Sequence, residues 1–305
     1  MCKYEAIKEL SETKHYPVTW MCNFLHVTRS AYYKWLNEPE SASERENERI
    51  AQQIEEIHDE HPGMGYRRLR DTWVRRNDQT INDKRVLRIC RSRGIKSTIK
   101  YRPNSCTVAA ENARYTAENV LNREFNAEAP NQKWVTDVSE FKYYIGPRIL
   151  KVYLSAILDL YDRRIVSWEI SDHNDNPLVM RTFDKAVASE PDVHPLFHSD
   201  RGFQYTSREF HNRLEANDTT QSMSRVAKCI DNGPMEGFWG MMKREMYYGF
   251  RYNGRESLIE AMNDYIDYYN HGRYQRRLGI RTPYEFHELY FEKMKKPLNN
   301  AYLMS

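Results

Sequence analysis

The chain is poor in cysteine, with five residues that lie far apart and form no CxxC pair. This scarcity argues against a disulfide framework and a zinc finger, and it fits a reducing compartment. No apolar run approaches the ~20 residues of a membrane span, and the amino terminus lacks the apolar region of a secretory signal. We therefore expect a cytoplasmic protein without a membrane partner. Its 305 residues are enough for two domains or more.

The charges of the chain are unevenly distributed. The net charge is only +3, yet residues 61–102 contain 13 Lys and Arg against 3 Asp and Glu. The rest of the chain is therefore near −7. A basic block in an otherwise acidic protein favours a polyanionic partner such as nucleic acid. A solvated helix surface is the alternative explanation of the same charges.

Residues 17–36 predict two short helices around a tight turn. Three apolar residues lie at helical spacing in the first helix: Trp20, Phe24 and Leu25. Thr28 is placed to cap the second helix, which would carry Arg29 and Lys34 toward DNA. The layout suits a helix-turn-helix, although any small helical hairpin would look similar.

A second basic helical unit follows a helix that ends near His61. The stretch GYRRLRDTWVRR predicts a helix with Leu69 and Trp73 facing inward. Its arginines are expected to point largely outward: Arg67, Arg68, Arg70, Arg75 and Arg76. Asn82 or Asp83 would cap the next helix. We expect Arg67, Arg68, Arg75 and Arg76 to contact DNA, mostly through phosphates.

From residue 131 the pattern changes to strands. Three β-branched and aromatic runs, KWVTDVSEFKYY, ILKVYLSAILDLY and RRIVSWEISDH, are separated by short turns. A helix, a strand ending in LFHS, a helix from Ser207, a short strand near TTQSMS and two long helices follow. Three antiparallel strands and then alternating helices and strands predict a mixed α/β fold of the ribonuclease H kind.

Three acidic residues lie where such a fold would bring them together. Asp137 is in the middle of the first strand, Asp200 ends the fourth, and Glu236 lies in the first turn of a helix opened by Pro234. A few carboxylates from separate elements suit Mg²⁺, and two such ions about 4 Å apart could hold the attacking and leaving oxygens of a phosphodiester. Each acid alone also has a structural explanation, such as a lysine partner or a helix N-terminus.

The choice between a metal ion and a structural partner is clearest at Asp200. A carboxylate at the end of a buried strand is desolvated and needs compensation, either from Arg201 or from a metal ion. Other acids lie close by. We interpret Asp159 and Asp162 as hairpin residues and Asp231 as a helix cap.

The spacing around the third acid favours the metal. Lys243 follows Glu236 by seven residues, two helical turns later on the same face. Gly240 lies between them and would leave room for a backbone to approach. The other side of the helix is expected to be core: Phe238, Trp239 and Met242. This pattern resembles that of the DDE transposases and retroviral integrases.

Longer motifs make the resemblance more specific. HSDRGFQYTS, DNGPMEGFWGMMKRE and YNHGRYQRRLGIRTPYEF are similar to motifs of bacterial insertion-sequence transposases, in particular OrfB, the catalytic protein of insertion-sequence family three. HPGMGYRRLR resembles the basic helix-turn-helix before that family's core. The resemblance spans roughly residues 17–287. Gly233 and Gly237 stand where the family often has alanine and serine, and Ser139 where it often has threonine. None of these departures touches the three acids.

The resemblance implies a DNA transposase that cleaves and transfers strands with an integrase-like catalytic core. Asp137, Asp200 and Glu236 would hold two Mg²⁺ ions, or Mn²⁺, and Lys243 would contact terminal DNA. Implied partners are double-stranded DNA (terminal inverted repeats and target), OrfA or an OrfAB frameshift fusion, and further copies of the chain. The implied location is the bacterial cytoplasm, at the nucleoid when DNA is bound. The HHCC arrangement of retroviral integrases is missing from the sequence, so we expect no zinc.

These observations divide the chain into five segments. They are a helix-turn-helix at 1–43, a basic helical DNA-binding domain at 44–102, a linker at 103–128, the catalytic core with its C-terminal helices at 129–290 and a tail at 291–305. Two alternative functions remain open. One is a DNA-binding regulator whose core no longer cuts; the other is a tyrosine recombinase, prompted by the 22 tyrosines. Metal dependence separates them from a transposase.

Overall fold

The computed structural model describes four stretches of the chain: residues 3–37, 42–99, 116–225 and 229–295. The first half of the predicted linker, residues 103–115, lies outside the described residues. The same is true of residues 296–305 in the predicted tail, whereas residues 291–295 belong to a helix.

The first helical unit has a small core of its own. Its helices are α1 (Lys3–Lys14), α2 (Val18–Phe24) and α3 (Arg29–Asn37). They pack around Ile7, Met21, Cys22 and Tyr32. The predicted cap is present, because the Ala31 N–H donates to the Thr28 hydroxyl at 3.2 Å. Two of the apolar positions in α2 are not core, however. Trp20 and Phe24 are 58% and 69% exposed, with their rings stacked at 5.5 Å.

The second helical unit is built as the sequence predicts. It consists of α4 (Ala42–Glu60), α5 (Tyr66–Asn77) and α6 (Asp83–Ser92). Leu69 and Trp73 are buried against the isoleucine stripe of α4. Asn82 is the cap of α6, since its side chain accepts from the Lys84 N–H at 2.8 Å. The arginine-rich face of α5 is thereby left at the surface of the unit.

A five-stranded mixed sheet forms the centre of the third unit. Its strands are β1 (Lys133–Ile145), β2 (Arg148–Asp159), β3 (Ile165–Ser171), β4 (Leu196–Ser199) and β5 (Thr220–Met223). They are ordered β3-β2-β1-β4-β5. β1, β2 and β3 are antiparallel neighbours, while β4 and β5 run parallel to β1. The predicted mixed α/β fold is confirmed.

Helices cover both faces of the sheet. They are α7 (Asn176–Ser189), α8 (Arg208–Glu215), α9 (Gly233–Met242) and α10 (Arg255–His271), while α11 (Pro283–Lys295) packs against α10. Because side chains alternate along a strand, β1 contributes Trp134 to the core under α7 and α8, and Val135 to the core under α9 and α10. After Met242 the α9 coil widens into a π-helical turn, Lys243–Tyr247. No helix in the described stretches is both long and apolar enough to cross a membrane.

The second helical unit docks on the C-terminal part of the core through ion pairs. Arg276 bonds both Asp71 and Asp83 at 2.7 Å. Arg68 on α5 pairs with Glu245 at 2.9 Å. These contacts join α5 and α6 to the short 3-10 turn Arg276–Leu278 and to the π-helical turn that contains Glu245.

One buried amide completes the edge of the sheet. Asn270 on α10 accepts from the Ile165 N–H at 2.9 Å and donates to the Ile165 carbonyl at 3.0 Å. It therefore takes the place of a neighbouring strand. A buried backbone group that loses its partner costs about 1–3 kcal/mol.

We expect Asn270→Leu to lower the free energy of unfolding by about 2 kcal/mol or more, because it leaves two backbone groups of Ile165 unpaired. Chemical denaturation measures this change. Asn263→Leu on the exposed side of the same helix is the control and should cost below about 1 kcal/mol. Equal losses in the two variants would contradict the edge role of Asn270.

Candidate active site

Strand register brings the first two acids together. β1 and β4 are parallel with Trp134 opposite Phe197 and Val135 opposite His198. Two residues further along this register, Asp137 comes level with Asp200. Neighbouring strands lie roughly 4.8 Å apart, so the two carboxylates share one small region at the carboxyl end of β4.

The backbone beside Asp200 is folded tightly around its carboxylate. The Gly202 N–H donates to Asp200 Oδ1 at 2.8 Å. A Cβ at position 202 would lie 2.9 Å from that oxygen and 2.8 Å from Oε1 of Gln204. A side chain at position 202 would therefore displace the Asp200 carboxylate or the Gln204 amide. Arg201 turns away from the acid, since its Nε donates to the Ser224 carbonyl at 2.9 Å.

Both carboxylates are costly to ionise. Burial first, and then the charge of Asp200, raise the pKa of Asp137 to about 7. Burial also raises the pKa of Asp200. Within the described residues, neither acid forms an ion pair with a lysine or arginine. The donors that do reach them are neutral, so the pair retains an unmet need for positive charge.

The third acid approaches from a different direction. Glu236 is exposed in the first turn of α9. The charge of Glu236 also raises the pKa of Asp137, although burial and the charge of Asp200 contribute more. In the described parts of the chain, no three His, Cys, Asp or Glu side chains are grouped closely enough to hold a metal ion together. The structure thus joins Asp137 and Asp200, with Glu236 near them but outside the pair.

Helix α9 is fixed to β1 by two hydrogen bonds that the sequence did not suggest. The Asn232 amide donates to the Thr136 carbonyl at 2.9 Å. The indole Nε1–H of Trp239 donates to Asp137 Oδ2 at 3.0 Å. Helical periodicity predicts only a core position for Trp239. An apolar position gives no sign that its one polar atom reaches an acid.

Lys243 lies beside the site in a less open setting than expected. Its ammonium is 5.1 Å from the centre of the Phe141 ring. Burial lowers the pKa of Lys243, while the nearby charges of Asp137 and Glu140 act in the opposite direction. The space expected above Gly240 is occupied, because the Arg244 guanidinium lies 3.0 Å from where a Cβ would be.

The other acids near the site have structural roles. Asp159 closes the β2–β3 turn by accepting from the Tyr161 N–H at 2.6 Å, which agrees with a hairpin residue. Asp231 is not a helix cap: Arg123 and Arg225 pair with it at 2.7 and 2.8 Å, and hydrogen bonds from Arg225 above all lower its pKa.

The buried histidine of β4 is also structural. His198 bonds the hydroxyls of Ser222 and Ser224 through its two ring nitrogens at 2.9 and 3.1 Å. Burial lowers the pKa of His198 to about 4. A neutral ring that joins β4 to β5 agrees with the prediction of a satisfied strand-end histidine.

The arginines expected to bind DNA fall into two groups. Arg67, Arg75 and Arg76 are exposed on α5, as are Arg29 and Lys34 on α3. Arg75 and Arg76 pair with Glu285 and Glu60 at 2.6 and 2.5 Å, in surface ion pairs. Arg68 differs because its pairing with Glu245 and its hydrogen bond to Tyr268 are half-buried at the domain contact.

Comparisons with known families agree with this architecture. The integrase core domain matches residues 127–229 and 236–290, and an HTH-like domain matches residues 44–103. The catalytic core of HTLV-2 integrase, solved in complex with magnesium, aligns over 52% of this chain and 98% of that core, with 18% identity and a TM-score of 0.41.

Two of the relatives carry the names of a transposase and a transposase-like protein. The InsK transposase of element IS150 from Escherichia coli (strain K12) is 35% identical over 92% of this chain and 97% of its own length. A transposase-like protein from Haemophilus influenzae is 38% identical over 70% of this chain and 97% of its own length. The predicted family resemblance is confirmed. The chain belongs to the insertion-sequence transposases that combine an HTH-like domain with an integrase core.

Proposed function

We propose that this transposase cuts and joins DNA by DDE chemistry at the pair Asp137 and Asp200, with Glu236 as the third acid. The observation that carries the proposal is two adjacent, half-buried carboxylates whose only described donors are neutral. Such a pair is expensive unless a cation neutralises it. Phosphoryl transfer also needs a cation beside the reacting phosphate.

The donor set fits a hard divalent ion. Mg²⁺ prefers oxygen ligands and is commonly held by one or two carboxylates together with substrate phosphates. Asp137 and Asp200 would supply the fixed ligands, and Glu236 would complete the site from the exposed side of α9. We propose two Mg²⁺ ions in the active complex, with Mn²⁺ as a substitute. When bound, the ions would lower the pKa of a water and neutralise charge on phosphate oxygens.

The reaction takes place in two transfers at phosphorus. Water attacks the phosphodiester at an element end, and the 3′ oxygen leaves as a free hydroxyl. That hydroxyl then attacks a second phosphodiester in line, and the 3′ oxygen of the cut strand leaves. Lys243 would place the terminal DNA beside the acids, and no covalent protein intermediate is required.

The helical units would hold the DNA. We propose that the exposed basic residues of α3 and α5 contact phosphates of the terminal repeats and target, with further copies of the chain on paired ends. A DNA-end-recognising OrfA partner, or an OrfAB fusion, would add sequence recognition. Cleavage and strand transfer would take place at the nucleoid, in the bacterial cytoplasm.

The acids can be tested one by one. Asp137→Asn, Asp200→Asn and Glu236→Gln should each reduce Mg²⁺-dependent cleavage by at least about a hundredfold, since several kcal/mol of transition-state stabilisation are lost. Binding should stay near wild type. The assay uses a duplex carrying the terminal repeat that flanks the gene, with Asp264→Asn on the solvent side of α10 as control.

Two results would contradict this assignment. Robust cleavage by a carboxamide variant would remove that acid from the site. Cleavage by the wild type in excess EDTA would favour a tyrosine recombinase instead, and DNA binding without any cleavage would favour a regulator.

Lys243→Met tests the placement of the DNA. Methionine keeps the apolar stem against Phe141 but removes the charge. We expect cleavage to fall on the order of a hundredfold, because a ~1 Å misplacement of the end is enough for such a loss. Melting should be unchanged. Lys185→Met is the matched control, since its ammonium also lies 5.1 Å from a ring centre, that of Trp168, and away from the acids. Equal cleavage by the two variants would show that Lys243 only packs against Phe141 and does not place the DNA.

The basic surface is tested through the salt dependence of binding. Replacing Arg67, Arg75 and Arg76 by glutamine should flatten the plot of log K against log salt by about 0.9 per lost phosphate contact. The control is Arg213→Gln with Arg255→Gln, two partly exposed arginines of the catalytic core that form ion pairs with Asp184 and Asp172. An unchanged slope in the α5 variant would show that this surface does not bind DNA.

A further inference from the structure

We infer that Trp239 is a positioning residue for Asp137, whose carboxylate it orients for a divalent cation. The inference rests on the proposed function, because it presumes that Asp137 is a metal ligand. Its basis is the indole hydrogen bond to Asp137 Oδ2 at 3.0 Å. A ligating carboxylate is commonly held by such an outer partner, which fixes the direction of its remaining lone pairs.

The carboxylate of Asp137 is held at both oxygens. Oδ1 accepts from the Val138 N–H at 2.8 Å, and Oδ2 accepts from the indole of Trp239. An ionised carboxylate has about four lone-pair sites, so roughly two stay free after these bonds. Each oxygen therefore keeps a free acceptor position. The carboxylate cannot rotate without losing one of its two donors.

The Trp239 indole is a neutral donor, so it can orient the Asp137 carboxylate without neutralising its charge. A lysine or arginine in the same place would orient the carboxylate but would also supply the charge that a metal is needed to supply. The chain shows that alternative at Asp231, which forms ion pairs with both Arg123 and Arg225. An indole N–H gives direction without charge. Asp137 is thus oriented and still attracts a cation.

The indole itself is firmly placed. Trp239 is 6% exposed. Its ring packs edge-on to Phe141 of β1 at 6.4 Å and against Phe238 at 5.0 Å. Trp239 follows Glu236 by three residues, close to one helical turn. Movement of α9 would therefore shift the third acid and the donor of the first acid together.

A purely structural explanation is that a buried indole takes whichever acceptor is at hand. The two explanations differ in what Trp239→Phe should change. Loss of a purely structural hydrogen bond would lower the free energy of unfolding and leave metal binding unchanged. Loss of a positioning bond also weakens metal binding, typically by tenfold to a hundredfold.

The test is calorimetric titration of Mn²⁺ into the full chain without DNA. Trp239→Phe keeps the ring packing and removes the donor, and we expect its Kd for Mn²⁺ to rise by about tenfold to a hundredfold. The matched control is Trp168→Phe, which loses an indole bond of 2.8 Å to Asn263. Its Kd should stay within about twofold of wild type. Wild-type affinity in Trp239→Phe would overturn the inference.

A second measurement serves if Trp239→Phe does not fold. The six tryptophans give six indole N–H signals, and that of Trp239 is identified by its contacts with the Phe141 and Phe238 rings. We expect Mg²⁺ to shift this signal most in the wild type and not in Asp137→Asn. Metal binding without a shift at Trp239 would overturn the inference. Equal Mn²⁺ affinity in Asp137→Asn and wild type is a different result, because it would overturn the metal site itself and the inference with it.

Discussion

The repulsion between two half-buried carboxylates is the constraint on which the site depends. The parallel register of β1 and β4 makes Asp137 and Asp200 neighbours, and their partial burial limits the water that would screen their charges. The donors that reach the two carboxylates are uncharged: the backbone N–H groups of Val138 and Gly202, and the indole N–H of Trp239. Elsewhere the protein neutralises a buried acid fully, as at Asp231 with two arginines. A site that is oriented but not neutralised is prepared for a cation.

The rest of the molecule fixes what surrounds that pair. Asn232 and Trp239 tie the helix of the third acid to the strand of the first. The ion pair between Arg68 and Glu245 connects the basic helical unit to the π-helical turn that begins at Lys243. The residues that would place DNA and those that would hold the metal therefore lie on connected elements.

Much of this structure was readable from the sequence, because its signals are local. Strand alternation around Asp137, the strand end at Asp200 and the cap at Asn82 depend on near neighbours. The failures concern contacts between distant segments. Helical spacing could not show that Trp20 faces solvent, or that Arg68 forms an ion pair with Glu245 of the catalytic core. Nor could it place Glu236 outside the acid pair, since that depends on how α9 meets the sheet.

The most direct test of the central claim is anomalous diffraction from crystals of the chain grown with Mn²⁺. If the two carboxylates form a cation site, a manganese peak will lie about 2.0–2.3 Å from oxygens of both Asp137 and Asp200, as hard divalent ions require. A well-ordered pair without a peak, or a peak held only by other residues, would contradict the account.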